Sequence, residues 1–322
     1  MTKISIIIRC YNEEKYIGRL LVGIMQQLKE DDIEIILVDS GSTDATLSIA
    51  SQYPIKVVYI PPEQFSFGRA LNLGCSKANG DYFVFISAHC WPVYNDWLRQ
   101  LIKPFDDKNV GLVYGKQRGN EESFYSELQL FKSYFSNLSL INQTHPFCNN
   151  ANCAIPRSLW EKQPYDEELT GLEDLDWAKK ILSKGYTIVY SADAEIVHVH
   201  QASNQNIFNR YKREAIALKN IYPDEKFTLL NFLSLSLRNI YNDAYVARKE
   251  GVLHNNLKDI FRFRIMQFWG TYKGNSQKIK IDIDLKRTFY YPCSDKKNLI
   301  IENNEKKIDY KSVYSEDKKH DY

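Results

Sequence analysis

Lys3-Ile-Ser-Ile-Ile-Ile-Arg-Cys-Tyr-Asn-Glu-Glu14 and Ile33-Glu-Ile-Ile-Leu-Val-Asp-Ser-Gly-Ser-Thr-Asp44 are the stretches that decide the fold. In each, a run of apolar residues breaks off abruptly into small and polar turn formers. Ile4 to Ile8 and Ile33 to Val38 read as strands buried on both faces, since a half-exposed strand would alternate apolar with polar. Between them a helical pattern opens at Tyr11-Asn12-Glu13-Glu14. Ile17, Leu20, Leu21, Ile24, Met25 and Leu28 recur at its spacing. Outward from this pair the alternation repeats. Thr43 or Asp44 is placed to cap a helix through Tyr53. Lys56 to Ile60 is a third strand, Gly68 to Ala78 a helix, Asn79-Gly-Asp81 a turn, and Tyr82 to Ile86 a fourth strand. Strands alternating with helices imply an α/β chain, with a mostly parallel sheet, right-handed crossovers and helices on both faces. The first hundred residues therefore read as a Rossmann-like nucleotide-binding half.

Residues 101–200 are less regular. Asp96 to Phe105 and Phe124 to Phe135 read as helices, and Val110 to Tyr114 as a strand. Leu172 to Lys184 is a helix stopped by Gly185. Ile188-Val-Tyr190 and Ile196-Val-His198 read as two short strands. From Asn206 the pattern is helical, with breaks near Pro223 and Gly251. The expected organisation is a catalytic domain over 1–222, divided near residue 100 into nucleotide and acceptor halves. A helical region over 223–293 and a polar, mobile tail over 294–322 follow.

Composition narrows the function. Forty-two Lys and Arg against 40 Asp and Glu give a net charge of +2, too balanced a field for a nucleic-acid binder. Six cysteines show neither a C-x-x-C pair nor zinc-ligand spacing, and read as buried thiols in a reducing compartment. The initial apolar run is too short for a signal peptide or a spanning helix, so the expected location is the cytoplasm, including the inner face of the membrane. Dinucleotide and P-loop glycine signatures are absent.

Four clusters carry chemistry. Asn12 and Glu13 follow the first strand and Asp39-Ser40 ends the second, at the carboxyl edge where open α/β sheets bind ligands. Ser87-Ala88-His89 follows the fourth strand, where His89 is the one side chain able to ligate a cation. Gly171-Leu-Glu173-Asp174-Leu-Asp-Trp177 puts two adjacent carboxylates at a helix start, where the dipole favours their charge. One of them can act as a general base and the other can hold an acceptor. His198 and His200, two apart in extended chain, share a face.

In this order the clusters resemble the family-2 glycosyltransferases of the GT-A fold. The resemblance rests on Ile7 to Glu14, Ile35 to Asp44, Phe67 to Asn72, Gly80 to His89, Trp97-Leu98, Gly171 to Asp174 and Val197 to His200. Within the family it is similar to bacterial surface-polysaccharide enzymes, rhamnosyltransferase-like ones among them. The resemblance implies an inverting transfer from a nucleoside diphosphate sugar to a hydroxyl of a glycan or lipid-linked glycan. Asp174 would be the base, with Glu173 beside it. Asn12, Glu13, Asp39, Ser40 and Ser87 would hold the nucleotide, and Gly68, Arg69 and Asn72 would line the donor pocket. Gly171 and Trp177 would meet the acceptor. His89, His198 and His200 would reach metal or pyrophosphate. The family's Asp-x-Asp is Ser87-Ala88-His89 here, which favours Mn²⁺ over Mg²⁺. The alternative is metal-independent transfer, with Arg69 and the histidines neutralising the leaving group. The altered motif also admits a second reading: a sugar-nucleotide-binding scaffold subunit with a decayed site. Apolar and basic residues mixed over Phe227 to Tyr245 and Ile260 to Trp269 suggest contact with an anionic membrane.

Overall fold

In the computed structural model, residues 3–27, 32–200 and 203–276 are described. The expected polar tail, 294–322, lies outside them. The strands are β1 (Lys3–Cys10), β2 (Asp32–Asp39), β3 (Lys56–Tyr59), β4 (Tyr82–Ser87), β5 (Cys90–Pro92), β6 (Val110–Arg118), β7 (Leu140–Gln143), β8 (Asn152–Pro156) and β9 (Thr187–His198). The helices are α1 (Ile17–Met25), α2 (Thr46–Ala50), α3 (Phe67–Ser76), α4 (Trp97–Ile102), α5 (Tyr125–Tyr134), α6 (Arg157–Lys162), α7 (Glu173–Ser183), α8 (Asn204–Ile221), α9 (Leu229–Lys249) and α10 (Leu253–Ser276).

The strands form one sheet in the order β3-β2-β1-β4-β8-β6-β9-β5, with β7 against β9. The expected parallel half is there: β1 pairs in parallel with β2 and β4, and β2 with β3. Both faces of β1, β2 and β4 are buried over most of their length, as the unbroken apolar runs require. Ile7, Ile36, Val38, Phe83 and Phe85 point into one core. Ile6, Ile8, Ile35, Leu37, Val84 and Ile86 point into the other. Each such side chain contributes roughly 1.5–3 kcal/mol on burial.

The second half corrects the mostly parallel expectation. β8 lies antiparallel to both β4 and β6, while β6 and β9 run parallel. The sheet is therefore mixed. Asn-Cys-Ala-Ile-Pro over 152–156 is too short and too varied to announce β8. The two short strands expected near 190 and 197 are one strand, β9, because a register shift in β6 opposite Ser191 to Ile196 lets it continue through Asp193. The helix expected to reach Phe105 stops at Ile102 and tightens into a 3₁₀ turn at Pro104, a residue with no N–H to continue the ladder.

The last three helices pack together and onto α5. Gly270 and Gly274 let α10 lie directly on the backbone of α8. A Cβ there would fall 2.5 Å from the Phe208 carbonyl and 2.3 Å from that of Lys212. Arg264 of α10 grips the buried Asp243 of α9 with two bonds, at 2.8 and 3.0 Å. Ser126 of α5 donates to the same carboxylate at 2.6 Å. α8, α9 and α10 together form this helical bundle.

Candidate active site

The loops at the carboxyl ends of β1 and β2 brace each other. Asn12 sits at φ 52°, a left-handed conformation that asparagine tolerates well. Its backbone N–H donates to Ser42 Oγ at 2.9 Å, and its Oδ1 accepts from the Thr43 N–H at 2.8 Å. Glu13 N–H donates to Thr46 Oγ1 at 2.7 Å. Asp39, fully buried, accepts from the Gly41 and Ser42 N–H groups at 2.9 and 3.0 Å. Ser40 is buried, with its hydroxyl donating to the Cys10 carbonyl. Ser87 is buried at the end of β4, in register with Arg9. In this structure, then, Asp39 and Asn12 shape the loops of the expected nucleotide edge.

Three imidazoles meet beside that edge. Ring centroids lie 5.1 Å apart for His89 and His198, 5.6 Å for His89 and His200, and 4.1 Å for His198 and His200. One ring nitrogen from each lies within 4.8 Å of the other two. Each Nδ1 faces an oxygen: Glu13 Oε1 at 2.6 Å from His89, Gln117 Oε1 at 2.7 Å from His198, and Glu127 Oε1 at 2.8 Å from His200. Burial pushes His198 and His200 well below the usual imidazole range, helped by Arg210 and the neighbouring rings. Both are therefore neutral at pH 7, the form that ligates a cation. A neutral ring brings no charge to a leaving diphosphate.

The carboxylate pair opens α7. Leu172 precedes it at φ 56°, strained for a residue with a bulky side chain. Glu173 is buried, and its Oε1 accepts from Arg9 Nη1 at 2.9 Å. Asp174 keeps a partly exposed side chain. It accepts from the Asn150 N–H at 3.0 Å and the Leu175 N–H at 2.8 Å. Desolvation, then the charge of Glu173, raises the Asp174 carboxyl to about 7. A base should titrate near there to work at neutral pH. The ring of Phe67 is flanked by the guanidinium groups of Arg9, at 4.7 Å, and Arg213, at 4.6 Å. A Cβ at Gly171 would lie 3.5 Å from Nε of the same Arg213.

The chain matches the model of the family described as Glycosyl transferase family 2 over residues 5–163. It belongs to that family. The O-antigen chain rhamnosyltransferase WbaN of Salmonella anatum is 27% identical over 222 residues, 66% of this chain and 70% of that one. The O-antigen chain rhamnosyltransferase RfbN of Salmonella typhimurium is 28% identical over 222 residues, 65% of this chain and 70% of its own. Among solved structures, the mannosyltransferase PcManGT from Pyrobaculum calidifontis, in complex with GDP-Man and Mn²⁺, superposes with a TM-score of 0.59. Its identity is 19%, over 86% of this chain and 88% of that one. The fold is GT-A, and the chain is a glycosyltransferase.

Within this family-2 enzyme three expected contacts have other work. Trp177 is 1% exposed, lies tilted against Tyr165 with ring centroids 5.8 Å apart and donates to the Gln163 carbonyl at 2.7 Å, so it is a core residue rather than an acceptor surface. Helical geometry turns it inward, away from the exposed side of the first turn. Asn72 spends its amide internally, donating to the Tyr165 carbonyl and Glu167 and accepting from Trp160 and the Tyr165 N–H. Arg69 donates to Glu167 at 2.8 Å and to the Gln64 carbonyl at 2.9 Å. With Gly68, whose missing Cβ makes room for the Asp166 carbonyl, these residues clamp the segment leading to Asp174. Arg69 is thus engaged by carboxylates here, not presented as a free phosphate donor.

Sequence reading missed Gln117, Glu127, Arg210 and Arg213. Arg210 and Arg213 do share one face of α8, an i, i+3 signal that was available. An open cavity of about 420 Å³, lined in part by Tyr82, Phe105, Arg157 and Tyr186, lies at the opposite, amino end of β4 and β6 from this chemistry.

Proposed function

We propose that the enzyme performs an inverting transfer from a nucleoside diphosphate sugar to a glycan hydroxyl, in assembly of a bacterial surface polysaccharide. The observation that carries this is Asp174, a partly exposed carboxylate raised to about 7 at the carboxyl side of the sheet. Asp174 takes the proton of the acceptor hydroxyl as that oxygen bonds to the anomeric carbon. The bond to the diphosphate oxygen breaks with its electron pair, on the opposite face. Glu173 pairs with Arg9, and its proximity helps to raise the Asp174 carboxyl. Asn12, Glu14 and Asp44 hold the two strand-end loops in shape for the nucleotide. A positioned base supplies about 10²–10⁴-fold.

The residues present fit a divalent cation. Three imidazoles converge, two of them, His198 and His200, kept neutral by burial, and His198 Nε2 is buried with no hydrogen-bond partner among the described residues. A set without carboxylates suits a transition ion better than Mg²⁺, so Mn²⁺ is expected ahead of Mg²⁺. When bound, it supplies charge neutralisation to the diphosphate. Metal-independent transfer is the weaker reading, because His198 and His200 are neutral and Arg69 is paired. The names of the two relatives favour a deoxyhexose donor. Thermal-shift screening against UDP-, dTDP- and GDP-sugars with and without Mn²⁺, followed by an assay of nucleoside diphosphate release, tests all of this. Asp174→Asn should keep donor binding and lose turnover; near-full turnover would overturn the assignment.

A lipid-linked acceptor is supported by one surface. Leu230, Leu233, Leu237, Tyr241 and Tyr245 are exposed along α9, interleaved with exposed Arg238, Arg248 and Lys249. The one acid in this helix, Asp243, is buried. Apolar and basic groups together match an anionic bilayer surface. Among the described residues no helix is long and apolar enough to cross a membrane. Co-sedimentation with phosphatidylglycerol vesicles should be lost in Leu237→Asp; equal recovery of both proteins would refute the contact.

A further inference from the structure

Each imidazole of the cluster has its own oxygen behind it, hydrogen-bonded at His89 and His198 and at ion-pair distance at His200, and the three oxygens come from unrelated elements. Glu13 follows β1, Gln117 lies in β6 and Glu127 in α5. We propose that Glu13, Gln117 and Glu127 are positioning residues: an outer ring of acceptors that keeps the proton on Nδ1 of His89, His198 and His200, so that all three Nε2 lone pairs face a common point. This rests on the reading of the cluster as a cation centre, and it removes Glu13 from the nucleotide and gives it to His89.

The argument is one of donors and acceptors. An ionised carboxylate only accepts, and so does the amide oxygen that Gln117 turns toward its ring. Nδ1 must then donate, which in a neutral ring leaves Nε2 unprotonated. The three distances, 2.6, 2.7 and 2.8 Å, are short and nearly equal. Gln117, Glu127 and His198 are all buried, so water does not compete for these bonds. Among the described residues His198 Nε2 has no partner, as a ligand atom should not. Imidazoles that bind metals are oriented in this way, and loss of such an acceptor weakens binding about 10–100-fold.

Glu127 adds a connection to the helical bundle. The oxygen that faces His200 also accepts from Arg210 of α8 at 3.2 Å. The neighbouring Ser126 is bonded to Asp243 of α9. The same turn of α5 therefore reaches the cation centre on one side and the α9–α10 ion pair on the other. Arg210 Nη1 also stands 3.3 Å from His200 Nδ1. The rival arrangement, with Nδ1 accepting from Arg210 and Nε2 protonated, predicts the opposite tautomer.

The test uses the full chain, stripped with EDTA and titrated with Co²⁺ and Mn²⁺ by calorimetry, with the visible absorption of Co²⁺ as a second signal. Wild type should bind one ion. Gln117→Leu removes an acceptor without stranding a charge and should bind about 10–100-fold more weakly. Gln117→Glu, which restores an acceptor, should recover binding. A merely structural role would lower the melting temperature of Gln117→Leu while leaving affinity and the Co²⁺ spectrum unchanged, and that result overturns the proposal. If wild type binds neither ion, the cation centre itself fails. Should Gln117→Leu not fold, long-range ¹⁵N–¹H NMR of wild type decides. Nδ1-protonated rings at all three positions support the ring of acceptors; an Nε2-protonated His198 or His200 refutes it.

Discussion

Asp174→Asn should stabilise the enzyme progressively as pH rises, while abolishing its activity. Asp174 has its carboxyl raised from 3.8 to about 7. Between those values the folded chain keeps a proton that the unfolded chain has released. A group raised in this way stabilises the fold at low pH, and the contribution is lost as pH climbs through the folded value. The loss is about 1.4 kcal/mol per pH unit, and roughly three units give a ceiling of ~4 kcal/mol. Glu173 causes part of the shift, so ~2–4 kcal/mol is the expected span. Asparagine carries no such proton. It also misplaces an amide against the Asn150 or Leu175 N–H, at about 1–3 kcal/mol, but that offset does not vary with pH. The buried His198 and His200 slope the other way, and their effect cancels because both proteins carry them. Melting temperatures of the two proteins, measured from pH 4.5 to 8, should therefore diverge by roughly 5–10 °C in favour of the variant, at ~2–4 °C per kcal/mol. The divergence should level off above pH ~7.5. Parallel curves would refute the desolvated carboxylate. The same proton sets activity: wild-type kcat/KM should rise about tenfold per pH unit to a plateau above ~7, leaving about 1% at pH 5.

Three further outcomes follow from named contacts. Arg9→Met leaves Glu173 buried and uncompensated, which should cost about 3–5 kcal/mol. Adding Glu173→Gln should recover most of that, and a double-mutant cycle showing no coupling by thermal unfolding would remove the ion pair from the account. Gly274→Ala drives a Cβ to 2.3 Å from the Lys212 carbonyl and should cost at least ~1–3 kcal/mol, whereas Gly18→Ala meets only Ile49 at 3.6 Å and should gain up to ~1 kcal/mol from helix propensity. Urea unfolding of both variants compares them directly. Asp243→Ala strands the buried Arg264 and should likewise cost about 3–5 kcal/mol, while Asp243→Leu with Arg264→Met should lie near wild type, and a double variant as unstable as the single one would refute the ion-pair account.

The parallel direction of β1 to β4, and the polar loops at the carboxyl ends of β1 and β2, could be read along the chain. Those signals are local and periodic: unbroken apolar runs, turn residues after them, helical spacing between. The pair Glu173-Asp174 was legible because two acids begin a helix that a glycine ends, and the spacing of His198 and His200 placed them on one face. What only the tertiary structure decided has no local period. Arg9 meets Glu173 across 164 positions of sequence. His89 joins His198 and His200 because β5, which follows it directly, pairs antiparallel with the end of β9. Gln117 and Glu127 matter only because their elements carry them behind those rings. Asn72 looked like a donor contact and Trp177 like an acceptor surface. Internal hydrogen bonds engage the first and burial encloses the second, since residue type shows which bonds a side chain can make, while desolvation and neighbours decide which it does make. The raised Asp174 carboxyl belongs to this second class. Sequence put a carboxylate at a helix start, and packing against Glu173, Asn150 and the core turned it into a group that titrates near neutral pH.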